Sequence, residues 1–158
     1  MFCFQQYGVM PDIMTVAKAL GCGVPIGAFV CTEKAASLEP GDHGTTYGGN
    51  PLVCTAVAKT LEIFEKERLT EHVMEIGAYL EERLDELAAS EDTVLERRGT
   101  GLIQGIRLTK PAGEVTARAM EEGLVIITAR SDVIRFVPPM VIAKEHVDEM
   151  IEKLKKSL

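Results

Sequence analysis

The hydrophobic positions along the chain follow two different periods, and this change predicts a mixed α/β protein. Residues 51–90 carry two apolar stripes, the second at three- and four-residue steps, which is typical of amphipathic helices. Pro51 predicts the start of the first helix, because a residue in the first turn does not use the N–H that proline lacks. The two apolar stripes are Leu52, Ala56, Leu61 and Phe64, followed by Val73, Ile76, Leu80, Leu84 and Leu87.

Short apolar runs between turn residues predict the strands. Residues 25–31 are bounded by glycine and loop residues, and we interpret them as a buried strand of a larger parallel sheet. Further strands are expected around 94–95, 102–108, 125–129 and 133–137, and further helices over 114–122 and 144–158. The pattern divides the chain into residues 1–90, which end in the long helices, and residues 91–158, a small α/β part.

Composition narrows the class of protein. The chain has 158 residues, of which 24 are acidic and 17 basic, and its net charge of −7 argues against nucleic-acid binding. No apolar run is long enough to cross a membrane, and we find no pattern of a secretory signal. Four cysteines show no CxxC spacing and do not cluster with the histidines, so we expect reduced thiols and no metal site. These features favour a cytoplasmic protein.

Lys18 is the first candidate for chemistry. It stands between apolar neighbours and shortly before Gly21 and Gly23. An amine held against apolar surface loses hydration of its charged form, and the neutral amine can then attack an aldehyde. The more common alternative is a solvated lysine on a helix.

A glycine-rich loop over residues 44–51 is the second candidate. Its sequence is Gly-Thr-Thr-Tyr-Gly-Gly-Asn-Pro, and the predicted helix follows directly. Glycines bring backbone N–H groups close to an anion, and a helix N-terminus adds positive potential. The loop matches neither the Walker motif nor the dinucleotide motif, so a loop without a ligand is the alternative.

Arg135 is the third candidate. Apolar residues flank it in a predicted strand, as Ile134 and Phe136 show. Its guanidinium could bind a substrate carboxylate through two parallel hydrogen bonds. Because strand residues alternate between faces, it could equally lie on the solvent face of a half-buried strand. The residues alone leave both interpretations open.

The order of these segments resembles that of class III aminotransferases, and the resemblance extends from about Phe2 to Leu158. The matching runs are Tyr7-Gly8-Val9-Met10-Pro11-Asp12-Ile13, Ala-Lys-Ala-Leu, Pro-Ile-Gly-Ala, Gly-Asp-His-Gly-Thr-Thr-Tyr-Gly-Gly-Asn-Pro and Arg-Phe-Val-Pro-Pro. The resemblance implies an α/β fold. Residues 1–90 would be the C-terminal part of the fold-type I aminotransferase large domain, and residues 91–158 the small C-terminal α/β domain.

The resemblance also implies a pyridoxal 5′-phosphate enzyme. Lys18 would form the internal aldimine with the cofactor, Thr46 would bind the cofactor phosphate across a homodimer, and Arg135 would bind the substrate α-carboxylate. The substrates would be small amino acids and 2-oxo acids, with N-acetylornithine as donor and 2-oxoglutarate as acceptor, in arginine biosynthesis. Ornithine, succinylornithine and 4-aminobutyrate are the alternative donors.

Some of the family's cofactor residues have no match in this chain. The aspartate that pairs with the pyridine nitrogen, the aromatic that stacks on the ring and another phosphate loop would lie upstream of the residues matching Phe2. Asp12 does not replace that aspartate, because it belongs to the Pro-Asp-Ile motif. We therefore expect the isolated chain to be incomplete and inactive. An alternative from another class is a non-catalytic fragment that folds only against a partner chain.

Overall fold

The computed structural model describes residues 1–158 as two compact units, Met1–Arg68 and Leu69–Leu158. Both contain helices and strands, which confirms the α/β prediction. The units divide earlier than the boundary expected after residue 90, because the second long helix packs within the second unit. The assignment of residues 1–90 and 91–158 to the large and small domains of the family stays a prediction.

The first unit is built on a two-stranded sheet. Strand β1 (Ile13–Ala17) pairs with β2 (Gly27–Cys31) in antiparallel register, with Ala17 opposite Gly27 at one end. The strand predicted over 25–31 is therefore present, but its neighbour in this unit is not parallel. The connection over 18–26 is too short for the crossover that parallel strands need. A single helix, α1 (Pro51–Lys66), follows the glycine-rich loop.

Apolar burial is nearly absent from the first unit. Gly21 is its one buried residue. Large apolar side chains remain open on the β1–β2 sheet and on α1, including Phe29 at 52% and Leu52 at 77% exposure. The unit is consequently held by backbone hydrogen bonds and tight turns more than by a core.

The second unit contains a four-stranded antiparallel sheet in the order β3-β4-β6-β5. Its strands are β3 (Val94–Thr100), β4 (Ile103–Leu108), β5 (Ile127–Arg130) and β6 (Val133–Phe136). Three helices accompany it: α2 (Leu69–Ser90), α3 (Ala112–Glu121) and α4 (Lys144–Ser157). The strands and helices predicted for this part of the chain are confirmed, with shifts of a few residues at their ends.

The core of the second unit lies between one face of the sheet and the helices. Helix α2 packs on β3 and α4, and α3 packs on α4 and the strands β5 and β6. The stripe predicted on α2 is buried from Ile76 onwards, and alternate strand residues meet it. The fully buried large apolar side chains are Leu80, Leu84, Leu87, Ile106, Leu108, Ile134, Leu154, Val115 and Val147. The opposite face of the sheet has no cover within this unit.

Two glycines let α2 approach the β3–β4 turn closely. A Cβ atom added at Gly77 would lie 2.7 Å from the Cα of Gly101, which is backbone and has little room to move. Gly101 itself has a φ of +56°, a conformation that favours glycine. The closeness of these two backbones sets the position of α2 on the sheet.

No helix is long and apolar enough to span a membrane. All four cysteines are unpaired, and no group of three or more His, Cys, Asp or Glu side chains could hold a metal ion.

Replacement of Gly77 by alanine tests this close approach. We expect Gly77→Ala to destabilise the second unit by about 1–3 kcal/mol, because the new methyl group overlaps the Gly101 backbone. Gly113 is a matched control: it lies in α3, and a Cβ added there meets nothing within 4 Å. Gly113→Ala should be neutral or stabilising, by up to about 1 kcal/mol. Urea unfolding followed by far-ultraviolet circular dichroism compares the two, and equal midpoints would contradict the packing described here.

Candidate cofactor and substrate sites

Lys18 directly follows β1 and has an unusual backbone conformation. Its φ is +54°, in the left-handed region, which costs a residue with a Cβ atom roughly 1–2 kcal/mol. Its side chain is exposed and makes no hydrogen bond or ion pair within the chain. The expectation that apolar neighbours bury Lys18 is therefore wrong for this chain, because the first unit has no core to bury it in.

The turn after Lys18 is tight. A 3₁₀ turn covers Lys18–Gly21, and Cys22 ends it with a φ of +50°. Gly21 is buried beside Ile26, and a Cβ atom there would lie 2.8 Å from the Cγ2 of Ile26. The β1–β2 register ends at Ala17 and Gly27, so this turn holds Lys18 at the end of the two-stranded sheet.

The glycine-rich loop is shaped by its own side chains. The Gly48 N–H donates to Thr45 Oγ1 over 3.2 Å, and a Cβ atom at Gly48 would lie only 2.1 Å from the Cγ2 of Thr45. Gly49 has a φ of +68°. Both glycines are therefore required by the turn itself.

Asn50 connects this loop to α1. Its Nδ2 donates to the Tyr47 carbonyl over 2.9 Å, and its Oδ1 accepts from the Val53 N–H over 3.1 Å. Asn50 is thus the N-cap of α1, with Pro51 at the first helical position, as expected from the sequence.

The loop retains donors for an anion. The backbone N–H groups of Thr46, Tyr47 and Gly49 donate no hydrogen bond within the chain, and the Thr46 hydroxyl is exposed and also unpartnered. The N-terminus of α1 adds positive potential beside them. These donors fit a phosphate group in number and kind.

A pocket of about 380 Å³ lies between this loop and residues 25–27. Thr45, Tyr47 and Asn50 line it, whereas Thr46 and Lys18 do not. Within the first unit the loop therefore meets the segment before β2, and the turn that begins at Lys18 contacts α1. The turn-forming role of Thr45 was not anticipated from the sequence.

Arg135 lies in the second unit, on the open face of the sheet. Ile134 and Phe136 on either side of it are buried, and Arg135 is exposed with no hydrogen bond or ion pair within the chain. Strand alternation thus accounts for a charged residue between apolar ones. Such an arginine is free to bind an anion from outside the unit.

Other arginines accompany Arg135 on this face. Arg98 is hydrogen-bonded to Glu96, and Arg107 donates to Asp132 over 3.0 Å and lies 3.6 Å from Glu96. The Arg98 hydrogen bond lowers the pKa of Glu96, and the Arg107 hydrogen bond lowers the pKa of Asp132. Both carboxylates are therefore ionised at neutral pH. The sequence analysis missed Arg98, although strand alternation around β3 could have indicated its face.

Arg97, next to Arg98, has a different role. It points to the covered face, where it contacts Glu81 at 2.6 Å and Asp85 at 2.7 Å on α2. It also donates to the buried Gln104, whose Nε2 donates to the Gly101 carbonyl. Arg97 therefore attaches β3 to α2, and Arg98 is left on the open face.

Asp12 also has a local role. Its Oδ1 accepts from the Thr32 hydroxyl over 3.3 Å, and its carbonyl accepts from the Thr32 N–H. It thereby connects the start of β1 to the end of β2.

Comparison with known proteins identifies the class. The family model described as aminotransferase class-III matches residues 1–158. The chain belongs to the class III aminotransferases.

The curated relatives that this chain resembles at 43–44% identity carry the same name, acetylornithine aminotransferase. The chain is 43% identical to the acetylornithine aminotransferase of Methanocaldococcus jannaschii, over 98% of this chain and 39% of the relative. It is 44% identical to that of Gloeobacter violaceus, over 96% of this chain and 38% of the relative. It thus spans about two fifths of the length of the curated relatives it matches.

Solved structures agree on the fold. An ornithine δ-aminotransferase of Plasmodium falciparum superposes with a TM-score of 0.92 at 32% identity, covering 98% of this chain and 42% of the other. The acetylornithine aminotransferase of Elizabethkingia anophelis gives 0.92 at 28% identity, covering 98% and 40%. An S-selective transaminase of Bacillus megaterium, at 22% identity, shares the fold with a TM-score of 0.94 and coverage of 99% and 39%.

The ion pairs on the open sheet face can be tested by titration. We expect Arg98→Gln to raise the pKa of Glu96 toward its ordinary value, because the largest influence lowering it is the Arg98 hydrogen bond. The pKa of Asp132 should not change, since Arg107 and Arg130 lower it and Arg98 does not. Carbon NMR titration of the carboxyl groups measures both pKa values. In the control variant Arg130→Gln, the pKa of Asp132 should rise and that of Glu96 should not change. An unchanged Glu96 in Arg98→Gln would contradict the pairing.

The lowered pKa values of Glu96 and Asp132 also make the stability of the folded chain depend on pH. A carboxylate whose pKa is lowered in the folded state contributes stability at neutral pH, and this contribution is lost as the pH falls through the lowered value.

Proposed function

We propose that this chain supplies the lysine, one phosphate loop and the carboxylate-binding arginine of a pyridoxal 5′-phosphate-dependent aminotransferase. Lys18 binds the cofactor aldehyde, Thr46 with its loop binds the cofactor phosphate, and Arg135 binds the substrate carboxylate. The observation that carries the proposal is the backbone of Lys18. A lysine kept in a strained conformation, exposed and without a partner, is more typical of a functional position than of a structural one.

The cofactor, when bound, supplies an electron-withdrawing ring that stabilises negative charge at the substrate Cα. The Lys18 Nζ holds and returns the proton that leaves this carbon, and it can do so because no carboxylate in the chain engages it. The unpartnered N–H groups of the loop fix the phosphate end. Arg135 orients the substrate through its carboxylate.

The substrates in this proposal are N-acetylornithine as amino donor and 2-oxoglutarate as acceptor, in arginine biosynthesis. The support is that the relatives at 43–44% identity are acetylornithine aminotransferases. Ornithine, succinylornithine and 4-aminobutyrate are the alternative donors. We further propose a cytoplasmic homodimer for the complete enzyme, in which Thr46 reaches the cofactor of the partner subunit.

A second candidate is a non-catalytic fragment that needs a partner chain to fold. The observation favouring it is the single buried residue of the first unit, together with the exposure of Phe29 and Leu52. On either proposal we expect no amino transfer by the 158-residue chain alone, because it spans about two fifths of its relatives.

Covalent trapping tests the proposed role of Lys18. The chain is incubated with a substoichiometric amount of pyridoxal phosphate, reduced with borohydride and mapped by peptide mass spectrometry. We expect the label mainly on Lys18, because its amine is unpartnered and the loop of a second copy of the chain attracts the phosphate. Lys34, an exposed lysine of the same unit whose Nζ lies 4.0 Å from Asp12 Oδ2, serves as the internal control.

Two comparisons sharpen this test. Pyridoxal without phosphate should label Lys18 no better than Lys34. At chain concentrations at which two copies associate, Thr46→Val should lower the labelling of Lys18 by pyridoxal phosphate, because the Thr46 loop of one copy acts on the cofactor of the other. If Lys34 is labelled as strongly as Lys18 under all conditions, the proposed cofactor role is wrong and the non-catalytic fragment is favoured.

A further inference from the structure

One peptide group, between Ile142 and Ala143, is hydrogen-bonded to two histidines from different helices. Its carbonyl oxygen accepts from Nε2 of His72 on α2 over 2.8 Å. Its N–H donates to Nδ1 of His146 on α4 over 3.0 Å. The peptide lies at the end of the connection over 137–143, which joins β6 to α4. Helices α2 and α4 are thereby attached to the same point of the backbone.

The two imidazoles have opposite roles in these hydrogen bonds. A carbonyl oxygen can only accept, so His72 carries a proton on Nε2. A backbone N–H can only donate, so Nδ1 of His146 is unprotonated. A charged His72 would still donate from Nε2, whereas a charged His146 would carry a proton on the nitrogen that must accept. Because imidazoles change charge between about pH 5 and 8, the two bonds respond differently to pH near neutrality.

We propose that His146 is a pH-sensitive switch that controls the start of α4 and the connection over 137–143. While the imidazole is neutral, the peptide between Ile142 and Ala143 is attached to both helices. When Nδ1 takes up a proton from water, the bond to the Ala143 N–H is lost and His72 alone holds the peptide. This inference goes beyond the proposed aminotransferase function and does not depend on it.

The sequence around the start of α4 makes this bond important for the helix. Ala143 is the N-cap residue and has no side-chain oxygen, so only the half of a capping box that His146 supplies is present. A charged imidazole in the first turn is also disfavoured by the positive end of the helix dipole. His146 is exposed, so the protonated ring can turn away into water. Protonation therefore removes the cap without burying a charge.

The charged and titratable groups near His146 lie on α4 itself and on α2: Lys144, Glu145, Glu149, Lys153, His72 and Glu75. Two ion pairs engage four of them, Glu149 with Lys153 at 2.6 Å and Lys144 with Glu75 at 3.5 Å. Helix α3 meets α4 at its other end, where Arg118 donates to the Ser157 carbonyl. None of these groups is hydrogen-bonded to the ring of His146, so the Ala143 N–H is the partner that protonation removes.

The connection controlled by this switch forms one side of an apolar pocket of about 270 Å³. Pro138, Pro139 and Ile142 of the connection line the pocket, and His146 borders it. Within the connection the Ile142 N–H donates to the Pro139 carbonyl over 3.3 Å, but this bond attaches it to neither helix. Loss of the His146 bond therefore loosens this side of the pocket, and the pocket becomes more accessible as the pH falls.

An NMR titration of the full 158-residue chain tests the switch. Long-range proton–nitrogen spectra show which imidazole nitrogens are protonated, and amide exchange, corrected for the intrinsic rate at each pH, reports the protection of Ala143. At the alkaline end we expect His146 to have a bare Nδ1. Protection of the Ala143 amide should fall about fivefold toward the acid end, as expected for loss of one capping bond. Its midpoint should coincide with the titration of the His146 ring.

Glutamine at position 146 provides the matched control. Its side-chain oxygen accepts from the N-cap N–H as in a capping box, but it does not titrate. His146→Gln should keep the Ala143 amide equally protected at all pH values, and His146→Ala should leave it at the low, acid level throughout. His72→Ala should retain the fall in protection toward acid pH, because His72 donates in both of its charge states.

Two results would overturn the inference. One is a proton on Nδ1 of His146 at the alkaline end, since that ring could not accept from Ala143. The other is a pH-dependent protection of Ala143 that persists in His146→Gln, which would place the titrating group elsewhere. The ring measurement uses the unmodified chain, so the test stands even if a variant does not fold.

Discussion

Full burial of apolar side chains is confined to residues 69–158, and the behaviour of each part of the chain depends on this. Leu80, Leu84 and Leu87 of helix α2 are buried where this helix packs on the sheet, and α4 packs beside α2. Burial of such side chains is worth about 1.5–3 kcal/mol each, so the second unit has the stabilising contacts that a folded domain needs. The open face of the same sheet therefore carries its arginines on strands with fixed register, and this makes the distance between Arg98 and Arg135 a property of the fold.

The first unit has no such core and depends on backbone pairing and local hydrogen bonds. Its one buried residue is Gly21, and its two-stranded sheet lacks a covered face. Isolated pairs of strands are marginally stable in water. Local hydrogen bonds consequently hold its turns. The turn that begins at Lys18 is closed by the Cys22 N–H, which donates to the Ala19 carbonyl. The turns at Gly48 and Gly49 are held by the hydrogen bonds of Thr45 and Asn50. Additional polypeptide that covers Phe29 and its neighbours would stabilise this geometry and could also provide the apolar surroundings that Lys18 lacks here.

The sequence predicted the elements of the second unit well, because apolar residues at helical and strand periods report directly on one shared core. It also located the loop before α1, since Asn50 and Pro51 are strong signals for a helix start. It did not predict the antiparallel partner of β2 or the exposure of Lys18. The antiparallel pairing follows from the short connection over 18–26, but only once β1 is known to be a strand, and the sequence pattern did not indicate β1. The exposure of Lys18 depends on which other chain segments are present, and local pattern carries no information about that. Arg98 escaped notice because the strand was predicted only around 94–95, so the alternation of faces was not applied to Arg97, which contacts α2, and Arg98, which lies on the open face.

Amide hydrogen exchange along the whole chain is the most direct test of this account. Exchange reports the free energy needed to open each backbone hydrogen bond. If apolar burial governs the molecule as described, the amides of α2, β4, β6 and α4 exchange slowly and together, whereas those of β1, β2 and the first turn of α1 exchange orders of magnitude faster. Equal protection of the two units would contradict the account, because it would mean that the first unit is stabilised by something other than a buried core.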